Sequence, residues 1–160
     1  MTIKVGDKIP SATLMRMTDS GPGPITTDEI FAGKTVVLFS VPGAFTPTCS
    51  AKHLPGFIEN AEALKAKGVD SIVCVAVNDV FVMNAWGKSQ EAGDKVLMVA
   101  DGNGDLTAKL GLEMDGTKFG MGKRGQRFSI IAKDGVVTEL NVEAPGEFKV
   151  SSAEHALTQL

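Results

Sequence analysis

Apolar positions fall into short unbroken runs separated by stretches of helical spacing. Lys34 to Val41 is almost continuous Val, Leu and Phe, and so is Ser71-Ile72-Val73-Cys74-Val75-Ala76-Val77. Such runs predict buried strands, and unbroken rather than alternating apolarity predicts strands of a parallel sheet covered on both faces. Between them Leu54, Phe57, Ile58, Ala61 and Leu64 recur at three- and four-residue steps. That spacing predicts a helix from Thr46 to about Lys67, ending at Gly68. Pro55 and Gly56 lie inside the pattern, so a kink or break is expected there.

Downstream, Asp79 to about Glu91 reads as a second helix with Phe81, Val82, Ala85 and Trp86 on one side. Val96 to Ala100 reads as a third strand, and Leu106 to Leu110 as a short helix closed by Gly111. The pattern then changes. Arg127 to Ala132, the turn Lys133-Asp134-Gly135, and Val136 to Leu140 predict a β-hairpin. Ser151 is expected to cap a final helix through His155 to Gln159. A βαβαβ half followed by an antiparallel hairpin and a terminal helix predicts an α/β fold of thioredoxin-like layout. It is a central mixed sheet with helices on both faces. With no repeat, linker or low-complexity block, residues 1–160 are expected to form a single domain.

Composition narrows the function classes. Hydrophobic residues make up 43% and charged residues 22%, ordinary for a globular chain. The net charge of −3, from 16 basic and 19 acidic residues, argues against nucleic acid or an anionic membrane as partner. No segment approaches the roughly 18 to 20 apolar residues of a membrane span, and the start lacks the character of a targeting peptide. Two cysteines are too few for a disulfide scaffold and point to a reducing compartment, with the cytoplasm as the expected location.

Candidate chemistry concentrates at Cys49. Thr46 is a good N-cap residue, and Pro47 suits the first helical position, where its missing N–H costs nothing. Cys49 then falls in the first turn, where unpaired N–H groups and the positive end of the helix dipole favour the thiolate. Pro42 and Gly43 enforce a sharp loop before it, and Thr46 can aim its hydroxyl and carbonyl at the sulfur. The opposing reading of Cys49 is a small buried hydrophobe.

Cys74, mid-strand among Val and Ile, reads as a structural thiol. Its disulfide with Cys49 is disfavoured, because the two lie at different heights along neighbouring strands. His53 is one turn after Cys49 and could share its face. A Cys/His hydrolase or a zinc site could recruit it, but the spacings support neither, which leaves a packing or hydrogen-bonding residue beside the site. No metal and no cofactor are expected. Asp101 to Asp105 lacks the length and closing glutamate of a calcium loop and reads as a turn. Gly116 to Gly125 has no phosphate-loop pattern. Arg124 and Arg127 flank the start of the hairpin strand, where one of them could serve a site.

The segment Pro42-Gly43-Ala44-Phe45-Thr46-Pro47-Thr48-Cys49-Ser50, with His53-Leu54-Pro55-Gly56-Phe57 after it, closely resembles the active-site segment of peroxiredoxins of the peroxiredoxin-5 class, called type II in plants. Val77-Asn78-Asp79, Phe81-Val82, Trp86-Gly87, Arg124 and Arg127-Phe128-Ser129 match the same class, from Ile3 to the C-terminus. The resemblance implies a thiol-dependent peroxidase that reduces hydrogen peroxide and organic hydroperoxides. In it Cys49 is the nucleophile, Thr46 and Arg127 activate it and orient substrate, Pro42 shields the site, and Arg124 and His53 stand behind it.

Animal members carry a resolving cysteine near the C-terminus, where this chain reads Phe148-Lys149-Val150-Ser151-Ser152. The resemblance to plant and bacterial members therefore implies an external thiol as reductant, glutathione with glutaredoxin or else thioredoxin. It also implies a homodimer, with Phe45, Phe81 and Trp86 as interface candidates. Two rival readings stand beside this one. A thiol–disulfide oxidoreductase would normally need Cys-x-x-Cys, and Cys49 is followed by Ser50, Ala51 and Lys52. A peroxide-responsive sensor with slow turnover would use the same thiolate.

Overall fold

The computed structural model describes residues 2–160. A seven-stranded mixed sheet runs through the molecule in the order β2-β1-β5-β4-β3-β8-β9. Its parallel centre is β3 (Thr35–Ser40), β4 (Ser71–Ala76) and β5 (Leu97–Ala100), the three runs expected as strands. Antiparallel β8 (Phe128–Lys133) and β9 (Val136–Val142) extend the β3 side. They are joined through Asp134 and Gly135, both with positive φ, the backbone a two-residue hairpin turn demands.

The side-chain period of two splits each central strand between two cores. Val37 and Phe39 of β3, with Ile72 and Cys74 of β4, face one core, which is closed by four helices. These are α2 (Leu54–Glu59), α3 (Ala61–Ala66), α4 (Val80–Ser89) and α6 (Ala153–Thr158). Val36, Leu38, Val73 and Val75 face the other core, closed by α1 (Thr27–Phe31) and α5 (Asp105–Leu110). Continuous apolarity in the strands thus has the expected cause: both faces are covered. In the first core Phe57 stacks on Phe39 at 4.1 Å.

Several elements differ from expectation. The long helix does not break at Pro55. It begins at Pro47, widens into a π turn over Cys49–His53, continues as α2, and breaks at Asn60 before α3. Pro55 has no N–H to donate, and its ring crowds the preceding turn. The wider π winding just before it, where the Leu54 N–H reaches the Cys49 carbonyl, accommodates both. The buried face of α4 is Val80, Met83, Trp86 and Gly87, whereas Phe81 and Ala85 are exposed and Val82 is half-buried. The cap of α6 is Ser152, which accepts the His155 N–H; Ser151 turns instead to Glu143.

Four strands were not expected. β1 (Thr13–Thr18) pairs with β2 (Gly21–Thr26), whose Gly-Pro-Gly-Pro sequence reads as a breaker yet is tolerated at a sheet edge. β6 (Glu113–Asp115) and β7 (Lys123–Gly125) form a separate two-stranded ribbon that sets Arg124 opposite Met114.

Candidate active site

The site lies where β3 ends and the π turn begins. After Val41 the chain enters a tight loop held from several directions. The Ala44 N–H donates to Asn78 Oδ1 at 2.9 Å, and the Thr46 hydroxyl donates to the Gly43 carbonyl at 2.7 Å. Arg124 donates from Nε to the Met121 carbonyl at 2.8 Å and reaches the Pro42 carbonyl with Nη1 at 3.5 Å. A Cβ on Gly43 would lie 3.2 Å from both Arg124 Nη1 and Thr46 Cγ2, so a larger residue there would have to push these side chains back by a few tenths of an ångström. Phe45, at φ 65°, occupies the left-handed region that a bulky residue rarely adopts, and its ring stands exposed.

The helix starts as its sequence predicts. Thr46 precedes the first helical residue, and its carbonyl accepts the Ser50 N–H at 2.9 Å. Cys49 therefore lies third in the helix, inside the turn whose N–H groups have no helical acceptor. The Thr46 hydroxyl donates to the Gly43 carbonyl and not to the sulfur. Its proton is committed to Gly43, which tightens the loop and leaves its oxygen lone pairs free to accept.

Cys49 is fully buried, but its surroundings are not wholly apolar. Arg127, which immediately precedes β8, donates from Nη2 to Cys49 Sγ at 3.1 Å. A charge-assisted donor of this kind stabilises a sulfur anion more than a neutral thiol. The other terminal nitrogen of Arg127, Nη1, lies 2.8 Å from His53 Nδ1, and His53 Nε2 lies 2.9 Å from the Ser151 carbonyl. His53 is fully buried among Phe39, Phe57 and Phe148. Burial, reinforced by the neighbouring Arg127 charge, lowers its pKa to about 3. Cys74 is also buried in the core that holds Cys49, and both thiols are free. Burial pushes the Cys74 thiol well up, and the nearby Cys49 adds to that.

A cleft of about 400 Å³ opens beside this cluster, lined by Pro42, Thr48, Met114, Arg127, Glu143 and Pro145 among others. The structure thus gathers Cys49, Arg127 and His53 into direct contact, with Pro42, Thr46 and Arg124 in the loop that walls them. Glu143, buried against the same cleft, escaped the sequence reading. Its partners are backbone N–H groups and one serine hydroxyl, a pattern with no side-chain motif. Trp86, an expected interface residue, is instead fully buried, with Nε1 donating to Ser50 Oγ at 3.0 Å.

Comparison with known proteins yields one coherent result. The family model described as Redoxin matches residues 4–157. The chain is 54% identical to Peroxiredoxin-2E-2, chloroplastic, of Oryza sativa subsp. japonica, over 99% of this chain and 73% of that protein. It is 51% identical to Peroxiredoxin-2B of Arabidopsis thaliana, over 99% of this chain and 98% of that protein. Among solved structures it resembles reduced Prx3 of Vibrio vulnificus in complex with hydrogen peroxide. The TM-score is 0.95 and the identity 55%, with 99% of each chain covered.

Proposed function

Since the chain belongs to the Redoxin family, among the type II peroxiredoxins and hence the thiol-dependent peroxidases, we propose that Cys49 is its peroxide-reducing nucleophile, with Arg127 and Thr46 as partners. The observation that carries this assignment is the Arg127 guanidinium 3.1 Å from Cys49 Sγ, at the start of a helix and beside an open cleft. The sulfur anion attacks the terminal oxygen of a hydroperoxide. An S–O bond forms, the O–O bond breaks, and the other oxygen leaves as alkoxide or hydroxide and takes a proton to become alcohol or water. Cys49 is oxidised by two electrons to the sulfenic acid.

Thr46 accepts the hydroperoxide O–H proton into a hydrogen bond through lone pairs left free by its own donation to Gly43. Arg127 stabilises charge on both oxygens as it shifts between them. Pro42 walls the cleft against water, and Arg124 holds the Pro42 loop in place.

The sulfenic acid is returned to thiol from outside. One external thiol displaces water to form a mixed disulfide, and a second thiol releases Cys49. Glutathione with glutaredoxin is the reductant this reading favours, with thioredoxin as the alternative. It is supported by the seat of Cys74 inside β4, where pairing with β3 on one side and β5 on the other holds its backbone in place. A reducing, cytoplasmic location suits this cycle. A homodimer is part of the proposal, for Phe45 and Phe81 stand 55% and 64% exposed near the site.

The test is peroxide consumption with hydrogen peroxide and an organic hydroperoxide, fed by glutathione and glutaredoxin. Cys49→Ser is expected to be inactive and Cys74→Ser to turn over like the wild type. Collapse of Cys74→Ser to the Cys49→Ser level would overturn external resolution. Rapid oxidation of Cys49 without sustained turnover on any thiol donor would favour a sensor.

A further inference from the structure

Behind Arg127 lies a connected line of polar groups that the peroxide step does not touch. Glu143 Oε2 accepts from the N–H groups of Lys149, Val150 and Ser151 at 2.8, 2.9 and 2.8 Å, and from the Ser151 hydroxyl at 2.7 Å. One carboxylate oxygen thereby gathers three consecutive residues around itself. The carbonyl of Ser151 faces His53 Nε2 at 2.9 Å. A carbonyl only accepts, so Nε2 carries the ring proton. Arg127 Nη1 faces His53 Nδ1 at 2.8 Å, and a guanidinium only donates, so Nδ1 is bare. Both contacts demand the same neutral tautomer. The ring is enclosed by Phe39 and Phe148, with centroids at 4.8 and 4.9 Å, and among the described residues these two contacts are its hydrogen bonds.

We propose that Glu143 and His53 are positioning residues for the peroxide reaction. Glu143 folds the segment from Lys149 to Ser151 so that the Ser151 carbonyl fixes the imidazole tautomer. The bare Nδ1 then holds one tine of the Arg127 fork while the other rests on the sulfur. Glu143 reaches Arg127 a second way, donating its own N–H to the Arg127 carbonyl at 3.0 Å. The inference rests on the peroxidase assignment above. It concerns how Arg127 is held and not whether Cys49 reacts.

Protonation does not interrupt the line at neutral pH, because His53 stays neutral far below it. Burial pushes the Glu143 pKa up, but the bonds from the Ser151 hydroxyl and the three N–H groups outweigh it and bring it below the ordinary 4.5.

The test is single-turnover oxidation of Cys49 by hydrogen peroxide, compared across five variants. His53→Leu fills the volume without polar atoms, and Glu143→Leu removes the acceptor. Each is expected to slow oxidation by about ten- to a hundredfold, the scale at which misplacing a reacting group by an ångström or less costs rate. His53→Gln can accept from Arg127 with its carboxamide oxygen and donate to Ser151 with its nitrogen, and should recover to within a few fold of wild type. In an Arg127→Gln background, His53→Leu should cost nothing further, since there is no guanidinium left to position.

Oxidation of His53→Leu at the wild-type rate would overturn the proposal, as would the same loss in the Arg127→Gln background. Should leucine prevent folding, His53→Gln alone decides, and a Gln variant that folds yet oxidises a hundredfold slower refutes the tautomer line. Wild-type protein whose Cys49 resists peroxide altogether would instead sink the assignment of Cys49.

Discussion

An imidazole sealed among phenylalanines and faced by a guanidinium resists taking up a proton, and that resistance couples His53 to acid stability. Its pKa falls from 6.5 to about 3 on folding, through burial first and Arg127 second. As pH drops below 6.5 the unfolded chain gains a proton that the folded protein refuses. The contribution of His53 is therefore complete above that pH and is lost as pH falls, by up to about 1.4 kcal/mol per pH unit. Glu143, lowered from 4.5, adds a loss of the same sign only in more acid solution. Urea midpoints measured between pH 7 and 5 are expected to decline for the wild type and to flatten for His53→Gln, whose amide does not titrate.

At this scale the sequence exposed Cys49 because its helix start is written in adjacent residues, Thr46 and Pro47. Arg127, 78 positions away from Cys49, was one of two candidate arginines beside the hairpin until family resemblance singled it out. Glu143 was invisible, since a carboxylate that binds main-chain N–H groups leaves no trace in side-chain identity.

Elements were readable where their signals are local. Asp79 caps α4 by accepting the Val82 N–H, and Gly111 ends α5 in the left-handed conformation. The Asp101-Gly102-Asn103-Gly104-Asp105 turn proves to be the anchor of α5. Asp101 is buried and accepts from the N–H groups of Leu106 and Thr107 and from the Thr107 hydroxyl. Asp101→Ala would leave those donors unpaired inside the protein and should destabilise it by about 1–3 kcal/mol, read as a lowered Tm, while leaving single-turnover oxidation of Cys49 unchanged.

Other elements were unreadable for physical reasons. The break of the long helix moved to Asn60 because a π turn absorbs Pro55, an adjustment that depends on neighbours in space. β2 carries two prolines and two glycines in six residues, and only its place at the rim of the sheet reconciles it with pairing. β6 and β7 are three residues each, too short for any periodicity to register.

In the whole molecule, Cys49 and its partners stand at one end of the parallel strands, where the loops after β3 and α4's start at Asp79 converge through the Ala44–Asn78 bond. The broad layout was legible because each central strand is apolar without interruption. The faces of α4 were not, because Phe81 breaks the rule that aromatic rings go inward. That exposed ring supplies a test of the proposed homodimer: Phe81→Glu is expected to convert the reduced protein to monomer in sedimentation equilibrium. A dimer unmoved by this change removes Phe81 from the interface.

The prolines of β2 have one more consequence. Pro22 and Pro24 have no N–H to offer a further strand, and β2 is the outermost member of its side of the sheet. Sheet-to-sheet polymerisation of the kind that seeds fibrils is discouraged along that border. Copies of the chain that meet at high concentration find no ready strand partner at that rim of the sheet.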